Sequence, residues 1–278
     1  MKFLSKLTAV CLILLSSAGL AGELEKNNKE LVLNALAKVF DAQKTELIET
    51  YYHPQYIQHS PEVKDGVDGL SEAITQMREN EITPAREVVR VVAQDNLVAT
   101  QSRVTIGEHT MIVGDLFRVQ DGKIIEHWDA SQIETSKSKT ANGNSMIDGG
   151  GNPNADVSEA DLARNKEMAT DFFAKGIAGD VATLKSLFGE EYIQHNPQVP
   201  NGIEPILGFF KNSDGKLSNV TVHQTVSEGD LTFALVEYAD WGNAVIEIVR
   251  HDDEGKIVEH WDIVQEIPKD FSHENGMF

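Results

Sequence analysis

Two short segments carry most of the side chains capable of chemistry: His127-Trp128-Asp129 and, later in the chain, His260-Trp261-Asp262. Both sit in stretches whose Val/Ile content predicts a β-strand, where successive side chains point to opposite faces. Ile125, His127, Asp129 and Ser131 then share one face, and Glu126, Trp128 and Ala130 the other. A histidine and an aspartate two residues apart on a strand stand side by side, so the carboxylate can orient the imidazole or act as a base itself. Solvated surface decoration is the competing reading, and descent from one ancestor explains the recurrence equally well. One predicted strand earlier lies an acid in each half, Asp115 and Glu247. Asp115 alternates with Phe117 and Val119, so it is expected among apolar neighbours. Burial there raises a carboxyl pKa, each unit being worth about 1.4 kcal/mol, which suits an acid or base near neutral pH. The alternative is an ion pair with a neighbour such as Arg118 or Arg250.

His59 and His195 each follow Tyr-Ile-Gln and precede Ser60-Pro61 or Asn196-Pro197. Either could bind a ligand oxygen at the mouth of a cavity, or cap a loop through the backbone. Nothing in the spacing of His59, His127 and Asp129 demands a metal, and no metal is expected. There is no Gly-rich phosphate loop and no Gly-x-Ser-x-Gly elbow, and no cofactor is expected.

The elements that must position these residues come in two copies. Tyr56-Ile57-Gln58-His59 returns as Tyr192-Ile193-Gln194-His195, and Gly122–Asp129 returns as Gly255–Asp262 with conservative changes. Copies of this length are whole domains rather than solenoid repeats. The expected organisation is a signal peptide over 1–22, a first domain over 23–134, a linker over 135–157 and a second domain over 158–278. Each copy runs helices first. Leu31, Val32, Ala35, Leu36, Val39 and Phe40 fall on one helical face, as do Leu162, Ala169, Phe172, Phe173 and Gly176. Ser158 and Asp161 resemble a capping box. A second short helix is expected around Thr45–Tyr52 and Val181–Phe188, and a third over Val67–Glu79 and Glu204–Lys211. Strands follow at Arg86–Gln94, Leu97–Ile106, His109–Gln120 and Lys123–Ile133, separated by turn residues such as Asp121-Gly122. The second copy repeats them at Leu217–Ser227, Leu231–Trp241, Asn243–Arg250 and Lys256–Ile267. The fold class is α+β: two cone-shaped domains, each a curved antiparallel sheet on about three helices, paired within the chain. Trp128 and Trp261 alternate with the site residues and are expected at that pairing face.

Residues 1–22 read as a cleaved secretory signal: Lys2 and Lys6, an apolar run from Leu7 to Leu15, then small residues. The run is about half the ~20 residues that span a bilayer. A periplasmic or secreted protein is expected. Removing the segment removes the sole cysteine, Cys11, and takes the net charge from -20 to -22 by loss of two lysines. Disulfides, thiol nucleophiles and Cys-ligated metals are then excluded. So strong a negative field also disfavours nucleic acid and anionic membranes as partners; solubility accounts for it, and it sets no function.

The Tyr-Ile-Gln-His-(Ser/Asn)-Pro segments, the block Phe117–Asp129 and the terminal Asn275-Gly276-Met277-Phe278 resemble SnoaL-like proteins of the nuclear-transport-factor-2-like superfamily. The resemblance recurs once per copy over nearly the whole mature chain. It implies a cone with a pocket between sheet and helices. It also implies cofactor-independent ring closure by aldol addition, as in the family's polyketide cyclases, with a last-strand aspartate as acid/base. That aspartate falls on Asp129 and Asp262. The family's assisting histidine falls on Asp115 and Glu247, a departure that leaves His127 and His260 to take over the role. The expected ligand is a small apolar carbonyl compound. Asp129 or Asp262 would be the base, and His127, His260 or a protonated Asp115 or Glu247 the enolate's hydrogen-bond donor. His59, His195, Phe40 and Phe172 would line the pocket. A pocket that binds a hydrophobic molecule without chemistry is the alternative.

Overall fold

The computed structural model describes residues 22–212, 217 and 219–278. The expected signal segment thus lies, apart from Gly22, outside the described residues. Each domain opens with a helix whose last turn widens to π geometry. In the first, α1 (22–35) continues as Leu36–Asp41; in the second, α4 (Glu159–Asp171) continues as Phe172–Ile177. Ser158 caps α4, accepting from the Asp161 amide. The wider turn lets neighbouring Phe172 and Phe173 both bury completely. Short helices α2 (Ile48–Tyr51) and α5 (Val181–Leu187) follow, with α3 (Gly66–Glu79) and α6 (Ile203–Asn212) after the first strand of each domain.

That first strand is the main departure from expectation. β1 (Tyr52–Gln58) and β6 (Phe188–Gln194) contain the Tyr-Ile-Gln segments, and each pairs in parallel with the last strand of its domain. The sheets are therefore mixed and five-stranded, not purely antiparallel. The other strands are β2 (Ala85–Gln94), β3 (Leu97–Ile106), β4 (His109–Gln120) and β5 (Lys123–Ile133), then β7 (Val220–Glu228), β8 (Leu231–Tyr238), β9 (Asn243–His251) and β10 (Ile257–Glu266). The orders are β1-β5-β4-β3-β2 and β6-β10-β9-β8-β7. Hairpins close where the sequence supplies left-handed backbone, as at Asp121 (φ 52°) and Gly122 (φ 71°) between β4 and β5.

One face of each sheet packs on its own helices, through Val32, Val39, Ile74 and Phe117 in the first domain and Phe172, Phe173, Leu184 and Val249 in the second. The opposite faces meet each other. Leu116, Trp128, Ile112, Phe233, Ile248, Trp261 and Ile263 form one shared buried layer. Gly114 is required there, since a Cβ would stand 2.8 Å from the Ile246 side chain. Gln265 accepts from the Ser131 amide (2.7 Å), and Gln132 accepts from the Val264 amide (3.0 Å).

The segment between the domains, expected to be a polar linker over 135–157, contributes to that layer. Met146 and Ile147 are buried in it. The Arg90 guanidinium lies 4.0 Å over the Trp261 ring and donates to the carbonyls of Ile147, Asp148 and Gly150. Its glycines reflect close approach rather than slackness: a Cβ on Gly149 would collide with Glu259 and Trp261.

Candidate functional site

In the second domain the site is built across three adjacent strands. Glu247 on β9 stands opposite Asp262 on β10, and His260 on β10 is in register with Gln194 at the end of β6. Strand alternation points all of them to the concave side, against α4 and α6. All four are buried.

The hydrogen bonds fix the proton positions. Gln194 Oε1 accepts from the amides of His195 (2.9 Å) and Asn196 (2.8 Å), while its Nε2 donates to the Tyr192 hydroxyl (3.1 Å). That oxygen can only accept, so His260 Nδ1, 2.9 Å away, must carry a hydrogen. His260 Nε2 then faces Glu247 Oε2 at 2.6 Å, a contact satisfied by imidazolium against carboxylate. Burial opposes the charge on His260, but the charge and hydrogen bond of Glu247 outweigh it and raise its pKa. The second Glu247 oxygen accepts from the Tyr238 hydroxyl (2.6 Å).

Asp262 is the group left over. Its Oδ2 accepts from Asn196 Nδ2 (2.6 Å), whereas its Oδ1 is buried without any partner. Burial, helped by the charge on Glu247, pushes its carboxyl up to about 6, against the lowering effects of His260 and Asn196. It faces a cavity of about 410 Å³ whose body is apolar, formed by Phe172, Ile177, Val199, Ile206, Val245 and Val264. The polar end consists of Glu247, His260, Asp262, Tyr192 and Tyr238. Among the described residues Tyr192 accepts a hydrogen bond but donates none, and burial holds its phenol in the protonated form. A buried base with a free oxygen thus shares an apolar cavity with a phenolic donor.

The first domain repeats the arrangement and then alters it. His127 contacts Gln58 Oε1 (3.0 Å) and Asp115 Oδ1 (3.1 Å), and Asp129 Oδ1 is again buried without a partner. Burial raises the Asp129 pKa. Asp115, however, also takes Arg86 Nη1 (3.3 Å) and Thr100 Oγ1 (3.0 Å). Burial pushes its carboxyl up, but His127, Arg86 and Thr100 together bring it below its usual value. Arg86 also pairs with Asp41 and lies 5.4 Å under the Phe40 ring. In the second domain, strand register puts Val220 in the place of Arg86 and Ala234 in the place of Thr100. The shared Asn-Lys-Glu and Ala-Lys steps and burial pattern of the opening helices put Ile177 in the place of Phe40 and Ala178 in that of Asp41. A buried ion network in one domain is replaced by apolar surface in the other.

The expected site residues therefore divide. Asp115, His127 and Asp129 converge, as do Glu247, His260 and Asp262, each trio offering ligand atoms within 4.8 Å of one another. Phe172 lines the second cavity, its ring 5.8 Å from that of His260. Phe40 serves Arg86 instead. A cation could address either trio, but both ring nitrogens of His260 are already committed to Gln194 and Glu247. The second trio is thereby suited to holding protons rather than a metal.

His59 and His195 are not in the cavities. Both turn to the opposite face, where they stack on Trp128 (5.0 Å) and Trp261 (4.8 Å) and contact Glu126 and Glu259. Their preceding glutamines end β1 and β6, so alternation sends the next side chain outward. Arg118 and Arg250 pair with the same outward glutamates, not with Asp115 or Glu247. His260 and Glu247 are also not free to donate to an enolate, since each is saturated by its neighbours. The sequence motif contains Tyr192, Gln194 and Asn196 but gives them no role, and nothing in the spacing of Arg86 or Tyr238 along their strands marks either as part of a site.

Residues 33–127 match the family model of the SnoaL-like domain. No curated protein matches the chain. Similar solved structures include TsrD from Streptomyces laurentii, with 16% identity over 38% of this chain and 89% of that one, at a TM-score of 0.34. IdmH from Streptomyces antibioticus has 18% identity over 38% and 91%, also at 0.34. An LEH-like epoxide hydrolase of M. tuberculosis has 15% identity over 39% and 84%, again at 0.34.

Proposed function

We propose, on the premise that this is a SnoaL-like protein through its residues 33–127, that the second domain binds a small apolar carbonyl compound and catalyses proton transfer next to the carbonyl. Asp262 is the base. Its carboxylate removes a proton from the α-carbon, and the Tyr192 hydroxyl donates a hydrogen bond to the enolate oxygen. The His260–Glu247 pair stays in place, its positive ring keeping Asp262 ionised near neutral pH. Returning the proton to another carbon gives isomerisation, and attack of the enolate carbon on a second carbonyl gives aldol addition. The observation that carries this reading is the buried, partnerless Asp262 Oδ1 at the end of an apolar cavity. Leaving such an atom unsatisfied costs stability, which a folded chain retains most readily where the atom has work to do. In the first domain the same end of the cone is occupied by Arg86, Asp41 and Asp115, so its assigned role is support of the second. The signal-like residues 1–22 favour an exported setting.

Crystals of the full chain soaked with 2-tetralone, a bicyclic apolar ketone, test the reading. The ketone is expected in the second domain with its oxygen near Tyr192. Occupancy confined to the first domain, or absent from both, contradicts it.

A further inference from the structure

We infer that the interdomain segment 141–147 is a positioning element for the acid–base cluster of the second domain, reaching it from the end of the first. The inference rests on the function proposed above, and the contacts that support it occur twice. The Ala141 amide donates to Pro197 O (2.8 Å), and the Ser272 amide of the C-terminal segment donates to Pro61 O (2.9 Å). Asn142 Nδ2 donates to the carbonyls of Asn196 (2.7 Å) and Val199 (2.9 Å), where His273 Nε2 donates to Ser60 O (2.9 Å). Asn144 Nδ2 bridges Gln194 O and Asn201 Oδ1, both at 2.9 Å; Asn275 Nδ2 bridges Gln58 O (3.0 Å) and Asp65 Oδ1 (2.8 Å). Ser145 O and Gly276 O accept from His195 and His59, and Met146 and Met277 are buried beside them. The segment leaving the first sheet straps the second domain, and the segment leaving the second sheet straps the first.

What the strap holds gives it a role beyond cohesion. Asn142 and Asn144 grip the backbone of Gln194 and Asn196, whose side chains fix His260 Nδ1 and accompany Asp262 Oδ2. Catalytic groups must be held to within a fraction of an ångström, by neighbours that are themselves held. Releasing those carbonyls loosens Asn196 from Asp262 without touching either side chain. Losing a hydrogen bond to the charged form raises a carboxyl pKa, so the Asp262 midpoint should move upward, by about half a unit to one unit.

The test uses the full chain and a matched control. In Asn144→Ala the Asp262 midpoint, followed by carboxyl 13C NMR and assigned with Asp262→Asn, is expected to rise, with proton abstraction from 2-tetralone slowed roughly tenfold. In Asn275→Ala, which loses the equivalent contacts on the first domain, the midpoint and the rate should stay as in the wild type. Asn142→Ala serves in place of Asn144→Ala if that variant fails to fold. Equal losses of Tm in the two variants with an unmoved Asp262 midpoint would overturn the inference. Wild-type protein inert towards the ketone, with the midpoint still shifting in Asn144→Ala, would sink the proposed chemistry and leave the strap's role standing.

Discussion

Replacing Asp262 with Asn should remove the chemistry and stabilise the protein, and the size of that stabilisation follows from the site. The carboxyl moves from an ordinary value of 3.8 to about 6 on folding, chiefly through burial. Between those values the folded chain holds a proton that the unfolded chain has lost. Stability is therefore fully present below the unfolded value and falls as pH rises through the folded one. A shift of about two units at roughly 1.4 kcal/mol each puts the cost of the ionised group near 3 kcal/mol at pH 7.5. Asparagine keeps the shape and cannot ionise. Urea unfolding should find Asp262→Asn more stable than wild type by up to about 3 kcal/mol at pH 7.5, with the gap closing towards pH 4. Affinity for 2-tetralone should change little, because the apolar body of the cavity is untouched. A variant that is equally stable or less stable at pH 7.5, or a difference that ignores pH, would refute the assignment of Asp262 as a strained base.

The remaining expectations concern other parts of the molecule. Tyr192→Phe should lower the proton-transfer rate about 100-fold or more while leaving ketone affinity nearly intact, measured as kcat against KM. Arg86→Met deprives buried Asp115 of its cation and should cost roughly 3 kcal/mol in a urea melt, with ketone turnover in the second domain unchanged. Trp261→Ala removes a fully buried ring, its hydrogen bond to Asp148 O (2.7 Å) and the platform for Arg90. A loss of about 4 kcal/mol is expected from chemical unfolding. Wild-type turnover should fall with acid through a midpoint near 6, as Asp262 takes up its proton.

Much of this architecture is legible in the sequence because it is local. The β3, β4 and β5 spans follow from Val/Ile content and the Asp121-Gly122 turn, and the convergence of His127 with Asp129 follows from alternation alone. What escaped is what depends on distant partners. β1 holds Pro54 and Gln55 and β6 holds Gly189, Glu190 and Glu191, and both are strands only because a parallel neighbour arrives from the far end of the domain. Without that pairing the outward turn of His59 and His195 could not be read. Arg86 meets Asp115 across two strand boundaries and a register shift between Val88 and Arg90, so its partner was not open to counting. The straps 141–147 and 272–278 share only an asparagine and a methionine in matched positions, Asn144/Asn275 and Met146/Met277. That is too little to mark a repeat, and the Gly/Pro content around the first of them reads as linker. The Gln58 and Gln194 signal was available: an amide recurring beside a buried histidine has to be hydrogen-bonded to something.

The central claim, that Asp262 abstracts a proton next to a carbonyl in the second domain, is open to direct measurement in D2O. Protein and 2-tetralone are mixed at pH 7 and loss of the α-proton signal is followed by 1H NMR against buffer alone. Exchange faster than buffer is predicted for the wild type and, within about twofold, for Asp129→Asn, with exchange at the buffer rate for Asp262→Asn. Exchange that survives in Asp262→Asn, or that disappears in Asp129→Asn instead, would contradict the account.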